Sequence, residues 1–215
     1  MPSSHPQQIN EIVETIKLLK PKSVLDIGVG FGKYGMLARE YLELWDEGKD
    51  YDKRDIRIDG IEAFEKYITD LHKYIYDNIY TGNALDVLPN LEQKYDLILI
   101  IDVLEHFSYE EGMKLLKLCK EKGKNILISI PKEIGHQDAI FENKFEEHKF
   151  QFEQKHISSL GDTAFIPNEA SNICILGENV SAVRKYVRKK KNRDLKQALR
   201  NRFPFLVRLK RTFGR

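Results

Sequence analysis

The chain has 215 residues, 41% hydrophobic and 32% charged, a balance that excludes a disordered, collagen-like or polytopic membrane chain. No run approaches the roughly 20 apolar residues that span a bilayer, and Met1-Pro2-Ser3-Ser4-His5 lacks the basic and apolar regions of a signal peptide. The net charge of +2 conceals an asymmetry: residues 181–215 hold 14 Lys and Arg against one acid, Asp194, which leaves 21 bases and 32 acids in residues 1–180, so a body of −11 carries a tail of +13.

Ile9, Ile12, Val13, Ile16 and Leu19 recur at helical spacing, and Pro21 ends that helix. Ser23 to Ile27 reads as a short buried strand running into glycines, and Tyr34, Leu37, Tyr41, Leu44 and Trp45 mark the helix after it. Asp46 to Asp55 is polar and reads as a surface loop. Ile56, Ile58 and Ile61 make a second strand, with a helix through Phe64, Tyr67, Ile68, Leu71 and Ile75 behind it. Asn78 to Tyr80 is a short third strand. Tyr95 to Ile101 (YDLILII) is a continuous apolar run, as expected of a strand buried on both faces. Leu104 to Lys120 is expected to be helical, Asn125 to Ile130 is a fifth strand stopped by Pro131, and the pair 164–166 and 172–176 suits a closing hairpin. This rhythm predicts an α/β domain with a mostly parallel sheet and helices on both faces. Cys119 and Cys174 make neither a disulfide framework nor a CxxC zinc pair, which points to a reducing cytoplasm.

Asp26-Ile27-Gly28-Val29-Gly30-Phe31-Gly32 stands where the first strand meets the following helix, and glycines there allow a tight turn and close approach of a ligand. Residues 30–35 (GFGKYG) also satisfy the dinucleotide pattern GxGxxG. Charge argues against that reading, because Asp26 before the turn repels a pyrophosphate and suits an ammonium group. Glu62 ends the second strand, 34 positions after Gly28 rather than about 20, and can chelate both hydroxyls of a ribose. A ligand with an amino-acid end and a ribose is S-adenosylmethionine. Singly, each residue has a simpler explanation: glycines for the turn, Glu62 as a solvated carboxylate, Asp102 as the N-cap of a helix beginning at Leu104. Their joint placement at strand C-termini favours a ligand site.

The ordered set VLDIGVGFGKYG at 24–35, GIEAF at 60–64, GNALDVLP at 82–89 and YDLILIIDVLEHF at 95–107 resembles the class I S-adenosylmethionine-dependent methyltransferases over roughly residues 20–180. The resemblance implies a Rossmann-like, seven-stranded, mostly parallel sheet and S-adenosyl-L-methionine as cofactor. It places Asp26, Gly28 and Gly30 at the methionyl part, Glu62 on the ribose, Ala63 or Phe64 against the adenine, Asn83, Ala84 and Leu85 at the adenine edge, and Asp102 beside the sulfonium. Position 83 is often Asp in that family; Asn83 keeps an acceptor and loses the charge.

Methyl transfer is an in-line displacement, so positioning supplies much of the rate, and an oxygen nucleophile also needs its proton handled. Glu105 and His106, after the fourth strand, and His148 with Glu146, after the fifth, are the catalytic candidates; His106 reads equally well as a buried-network histidine, and His136 and His156 as loop and surface residues. The stretch 130–152 is similar to the covering segment of methyltransferases found alongside surface-glycan and lipid-linked sugar enzymes, implying a sugar or small-molecule hydroxyl as acceptor. Alternatively, Asp102-x-x-Glu105-His106 with His148-Lys149-Phe150 resembles the metal-binding pattern of small-RNA 3′-terminal ribose 2′-O-methyltransferases, although that family has Glu where this chain has Asp102. A cofactor-binding interaction module without turnover is a third reading.

The expected organisation is a methyltransferase domain over 1–180, with an N-terminal helix in 1–20 and a substrate-covering segment in 131–160, followed by a basic amphipathic tail over 181–215. Arg184 to Lys191 opens the tail, and Phe203, Phe205, Leu206, Val207 and Leu209 lie among Arg208, Lys210 and Arg211. Basic residues around an apolar cluster suit an anionic membrane surface better than nucleic acid, which has no use for the aliphatics. Peripheral association of 184–211 with the inner face of the cytoplasmic membrane is the expectation.

Overall fold

A computed structural model describes residues 4–45, 53–140 and 142–202. Strands β1 (Ser23–Ile27), β2 (Arg57–Glu62), β3 (Asn78–Thr81), β4 (Tyr95–Ile101), β5 (Gly123–Pro131), β6 (Thr163–Ile166) and β7 (Ser171–Gly177) form one sheet in the order β3-β2-β1-β4-β5-β7-β6. The first five are parallel, and β7 runs antiparallel to both its neighbours, β5 and β6. This is the seven-stranded, mostly parallel sheet that the alternating pattern predicts. The strand order reverses between β1 and β4, which opens a crevice at their C-terminal ends.

Central position explains the unbroken apolar run of β4. Leu97, Leu99 and Ile101 pack on one face, with Ile12 and Ile16 of α1 (Ile9–Leu19). Ile98 and Ile100 pack on the other, with Leu115 and Leu116. Helices α1, α2 (Lys33–Arg39) and α3 (Asp70–Ile75) cover the first face together with the start of α7 (Val180–Arg202). On the second face lie α4 (Ala84–Asn90), α5 (Tyr109–Lys122) and α6 (Gln154–Ser158).

Two expected helices are broken. The segment after β2 is a single 3-10 turn, Glu65–Tyr67, followed by an extended Ile68 and then α3, whose Thr69 closes a reciprocal cap with His72. The segment 104–120 likewise divides into a 3-10 turn, Leu104–His106, and α5. Ser108 is the cause: its hydroxyl accepts the Glu111 amide at 3.3 Å while the Glu111 carboxylate accepts the Ser108 amide at 3.0 Å, a capping box that starts a new helix.

The shift in composition at 180/181 is not a shift in packing. Val180 and Val183 are core residues, Val187 packs against them, and Tyr186 and Lys190 both reach Glu14 of α1. From Lys191 to Arg202 every described residue is exposed. Phe203 to Arg211, where the sequence places the apolar cluster of the tail, lie outside the described residues. Among the described residues no helix is long and apolar enough to cross a membrane.

Candidate active site

A cavity of about 380 Å³ opens at the C-terminal ends of β1, β2 and β4, within the range usual for small-molecule sites. Asp26, Gly28, Gly30, Glu62, Ala63, Asn83, Ala84, Asp102, Glu105, His106 and His148 all line it. Of the site residues expected from sequence, Phe64, the alternative to Ala63, is not among the lining groups, and neither is Leu85. The Leu85 amide donates to Asn83 Oδ1 at 3.0 Å and its side chain packs into the core.

The glycine turn is held from below. The Gly28 amide donates to the Ile61 carbonyl at 2.8 Å. With φ at +74°, a Cβ at Gly28 would lie 2.5 Å from Val103 Cγ2, so only glycine fits here. The Gly30 amide donates to Glu62 Oε2 at 3.1 Å, and the Phe64 amide donates to Glu62 Oε1 at 2.9 Å. Burial raises the pKa of Glu62, against the pull of these two amides. The Gly30 carbonyl faces His72 Nε2 at 2.8 Å. His72 Nδ1 accepts the Thr69 amide, so Nε2 carries the proton and donates to Gly30. His72 is fully buried, and sequence reasoning missed it.

Asp26 is buried beneath the turn, and its Oδ2 accepts the Tyr76 hydroxyl at 2.7 Å. Burial pushes its pKa up to about 7 despite that bond. Asn83 departs from the role expected of it: its Oδ1 caps α4, which leaves the side-chain NH₂ as its free polar group. Asp102, unlike Asn83, caps no helix. It sits at φ +52°, and its Oδ2 accepts Gln8 Nε2 at 2.6 Å while Gln8 Oε1 accepts the Ser129 hydroxyl. The segment before α1 therefore forms a wall of the site, with Ser4 fixed by Lys33 Nζ at 2.7 Å. Nothing in the local sequence pattern announced this wall.

On the other side lie residues between Pro131 and Lys149, part of the segment expected to cover the substrate. The Lys149 and Phe150 amides both donate to the Glu105 carbonyl, at 2.8 and 3.3 Å. Buried Asn143 holds the Phe145 amide on Oδ1 and donates Nδ2 to Glu146 Oε1 at 3.2 Å. Glu105 is 2% exposed, and its pKa is raised well above the carboxylate range, first by burial and then by Asp102. His106 is shifted down, mainly by burial. Its Nδ1 faces the Glu147 carbonyl at 3.1 Å, and His148 Nδ1 faces the Gly135 carbonyl at 2.7 Å. Carbonyls only accept, so in each ring Nδ1 carries a proton, which in the neutral imidazole leaves the lone pair on Nε2. One Glu105 oxygen and a nitrogen from each histidine lie within 4.8 Å of one another. His136 is exposed, and His156 belongs to an aromatic cluster with Tyr109, Phe150 and Phe152.

Tyr34, Tyr67 and Glu105 line this cavity, and each has a buried side-chain oxygen, Tyr34 Oη, Tyr67 Oη and Glu105 Oε2, without a hydrogen-bond partner among the described residues. Such atoms are rare in folded chains, and their convergence on one cavity fits a polar ligand there.

No family model matches the chain. An uncharacterized protein of Methanocaldococcus jannaschii is 25% identical over 144 residues; the match covers 66% of this chain and 56% of that protein, a little over half its length. Among solved structures, magnesium protoporphyrin IX methyltransferase from Synechocystis PCC 6803 with bound SAH is similar at a TM-score of 0.55 and 15% identity, over 79% of this chain and 81% of that one. A SAM-dependent methyltransferase from Archaeoglobus fulgidus is similar at 0.55 and 19% identity, over 77% and 90%. Sheet order, glycine turn and these likenesses agree: the chain has the class I S-adenosylmethionine-dependent methyltransferase fold.

Proposed function

We propose that the chain binds S-adenosylmethionine in this cavity and transfers its methyl group to a hydroxyl of a small molecule or sugar. The observation that carries the reading is the division of one cavity into two chemistries: Asp26, Gly30 and Glu62 on one side, Glu105, His106 and His148 on the other. Asp26 would take the ammonium, Glu62 the ribose hydroxyls and the Asn83 NH₂ the adenine edge. The cofactor supplies an electrophilic methyl on a sulfonium. On the acceptor side, the bare Nε2 of His106 is placed to receive the hydroxyl proton, its ring held by Glu147. Glu105, kept in its acid form by burial, offers Oε2 as a hydrogen-bonding group that orients the acceptor. Similar folds from Synechocystis and Archaeoglobus fulgidus, described as methyltransferases, support the class of reaction.

A second reading is favoured by the Glu105, His106 and His148 cluster. A divalent cation there would take one carboxylate oxygen and two ring nitrogens whose opposite N–H groups are already tied to carbonyls, the usual outer support of a metal-binding histidine. It would hold Glu105 ionised and acidify an acceptor hydroxyl such as a terminal ribose. Asp102 is not part of that cluster, being engaged by Gln8.

Calorimetry with S-adenosylmethionine, then tritiated-methyl transfer over sugars, nucleosides and short RNA, with and without a chelator, tests both readings. Binding with transfer that survives chelation supports the first. Transfer only with an added divalent cation supports the second. Binding without transfer to any acceptor would leave a cofactor-binding module, and no binding would reject the site.

A further inference from the structure

The direction of α7 joins the basic tail to the pocket. Helix α1 begins at the pocket end of the sheet, where Gln8 holds Asp102 at the C-terminus of β4. It finishes at the opposite end, where the Lys22 amide meets Asp96 near the start of β4. Helix α7 begins at that opposite end, since Asn179 pairs with Asn125 near the start of β5. Its later turns then meet α1 in reverse order along the sheet: Tyr186 at Glu14, then Lys190 between Glu14 and Glu11. The helix therefore climbs toward the pocket end. Its buried stripe of Val180, Val183 and Val187 stops at Lys190. Residues 191–202 continue the helix, exposed among the described residues, and at 1.5 Å per residue they extend about 18 Å further. Glu11 is only two residues from the start of α1, so this extension overshoots the body on the side where the cavity opens.

The extension is built for an anionic surface. Lys191, Lys196 and Arg200 make no ion pair among the described residues and stand beside Leu195 and Leu199, which are 58% and 48% exposed one turn apart. Nucleic acid would use the cations and waste the leucines, whereas a lipid headgroup layer accommodates both. We infer that the exposed stretch of α7 from Lys191 to Arg200 seats the pocket mouth against an anionic phospholipid surface, so that the acceptor is presented at that surface. The inference rests on the methyl-transfer reading for the acceptor, but the docking itself does not.

Flotation of the full chain with phosphatidylcholine vesicles, with or without phosphatidylglycerol, tests the docking. The variant Lys191→Glu, Lys196→Glu, Arg200→Glu should lose partitioning onto anionic vesicles by at least roughly 100-fold, the loss expected from removing three cations from the headgroups before any repulsion by the new acids. Its affinity for S-adenosylmethionine should stay at the parent value, which measures the pocket separately. Orientation is read from a fluorophore on Asp138→Cys, beside Gln137 at the cavity rim, against one on Lys94→Cys at the opposite end. Cys119 and Cys174 are buried, so the introduced thiol takes the label. Headgroup quenchers should dim position 138 and spare 94. Unchanged partitioning of the triple variant, quenching at 94 in place of 138, or binding to single-stranded RNA without binding to anionic vesicles would each overturn the inference.

Discussion

The two halves of the cavity are built on opposite principles. On the side proposed for the cofactor, the charged and turn groups are already held by the fold: Glu62 accepts two amides, Asp26 a tyrosine hydroxyl, and the Gly30 carbonyl is gripped by His72. On the acceptor side the supports are made through the backbone and through Nδ1, while Glu105 Oε2 is left without a partner. The difference teaches where the specificity lies. A half whose groups are pre-tied presents one fixed set of contacts and suits one invariant ligand. A half that keeps an unsatisfied, buried carboxyl beside two histidines would, under the proposed function, set the chemistry and leave the choice of acceptor to residues 131–149.

Substitutions on the two sides should therefore separate binding from transfer. Glu62→Ala removes charge-assisted bonds to two hydroxyls, each worth about 1.5–3 kcal/mol, and should weaken S-adenosylmethionine roughly 10²–10⁴-fold by calorimetry. A loss under tenfold would move the ribose elsewhere. His106→Asn keeps an N–H near Nδ1 and removes the Nε2 lone pair. It should lower single-turnover transfer roughly 10²–10⁴-fold at saturating cofactor and leave cofactor affinity alone. A normal rate in this variant would reduce His106 to a structural support.

A gentler break lies under the covering segment. Gly112 in α5 faces the ring of Phe152, and a Cβ there would collide with Phe152 Cζ. Gly112→Ala should cost about 1–3 kcal/mol of stability by overpacking, read as a lower Tm. Phe152 lies two residues beyond Phe150, whose amide bonds the Glu105 carbonyl. Acceptor KM should therefore rise while cofactor affinity holds. A rise in cofactor Kd instead would mean that the halves are mechanically coupled.

The sheet and the glycine turn were legible because they are written in local pattern. YDLILII declares a strand buried on both faces, and DIGVGFG a strand-to-helix turn. Gln8, His72 and Tyr76 were not legible, because each works across the chain: Gln8 on Asp102, His72 on Gly30, Tyr76 on Asp26. An isolated buried polar residue in an amphipathic segment gives no sign of its partner. Ser108 is different, since Ser108-Tyr109-Glu110-Glu111 carries the capping-box pattern openly. Apolar residues continuing from Leu104 through Leu118 mask the break. Glu105, His106 and His148 could be chosen by type and position, but the burial that shifts Glu105 up and His106 down, and the carbonyls of Gly135 and Glu147 that hold the two rings, are brought near only by the fold.

The smallest expected effect is one of pH, and it sharpens the contrast within the cofactor side itself. Glu62 holds two backbone amides, whereas Asp26 lies buried with a pKa pushed up to about 7. In the free protein this group binds its proton more tightly folded than unfolded. Its contribution to stability is thus complete below the ordinary Asp value of 3.8 and is lost as pH rises through about 7. Ligand binding should run the other way, because an ionised Asp26 attracts the ammonium and a protonated one does not. Between about pH 6 and 7.5, below the range near 8 where an α-amino group loses its own proton, affinity for S-adenosylmethionine should climb up to roughly tenfold, as a single ionisation allows. Over the same interval the Tm of the free protein should fall. Calorimetric titrations and melting curves across the interval check both signs, and Asp26→Asn should flatten the affinity profile. A profile that stays as steep in Asp26→Asn would assign the proton to another group and remove Asp26 from the ammonium contact.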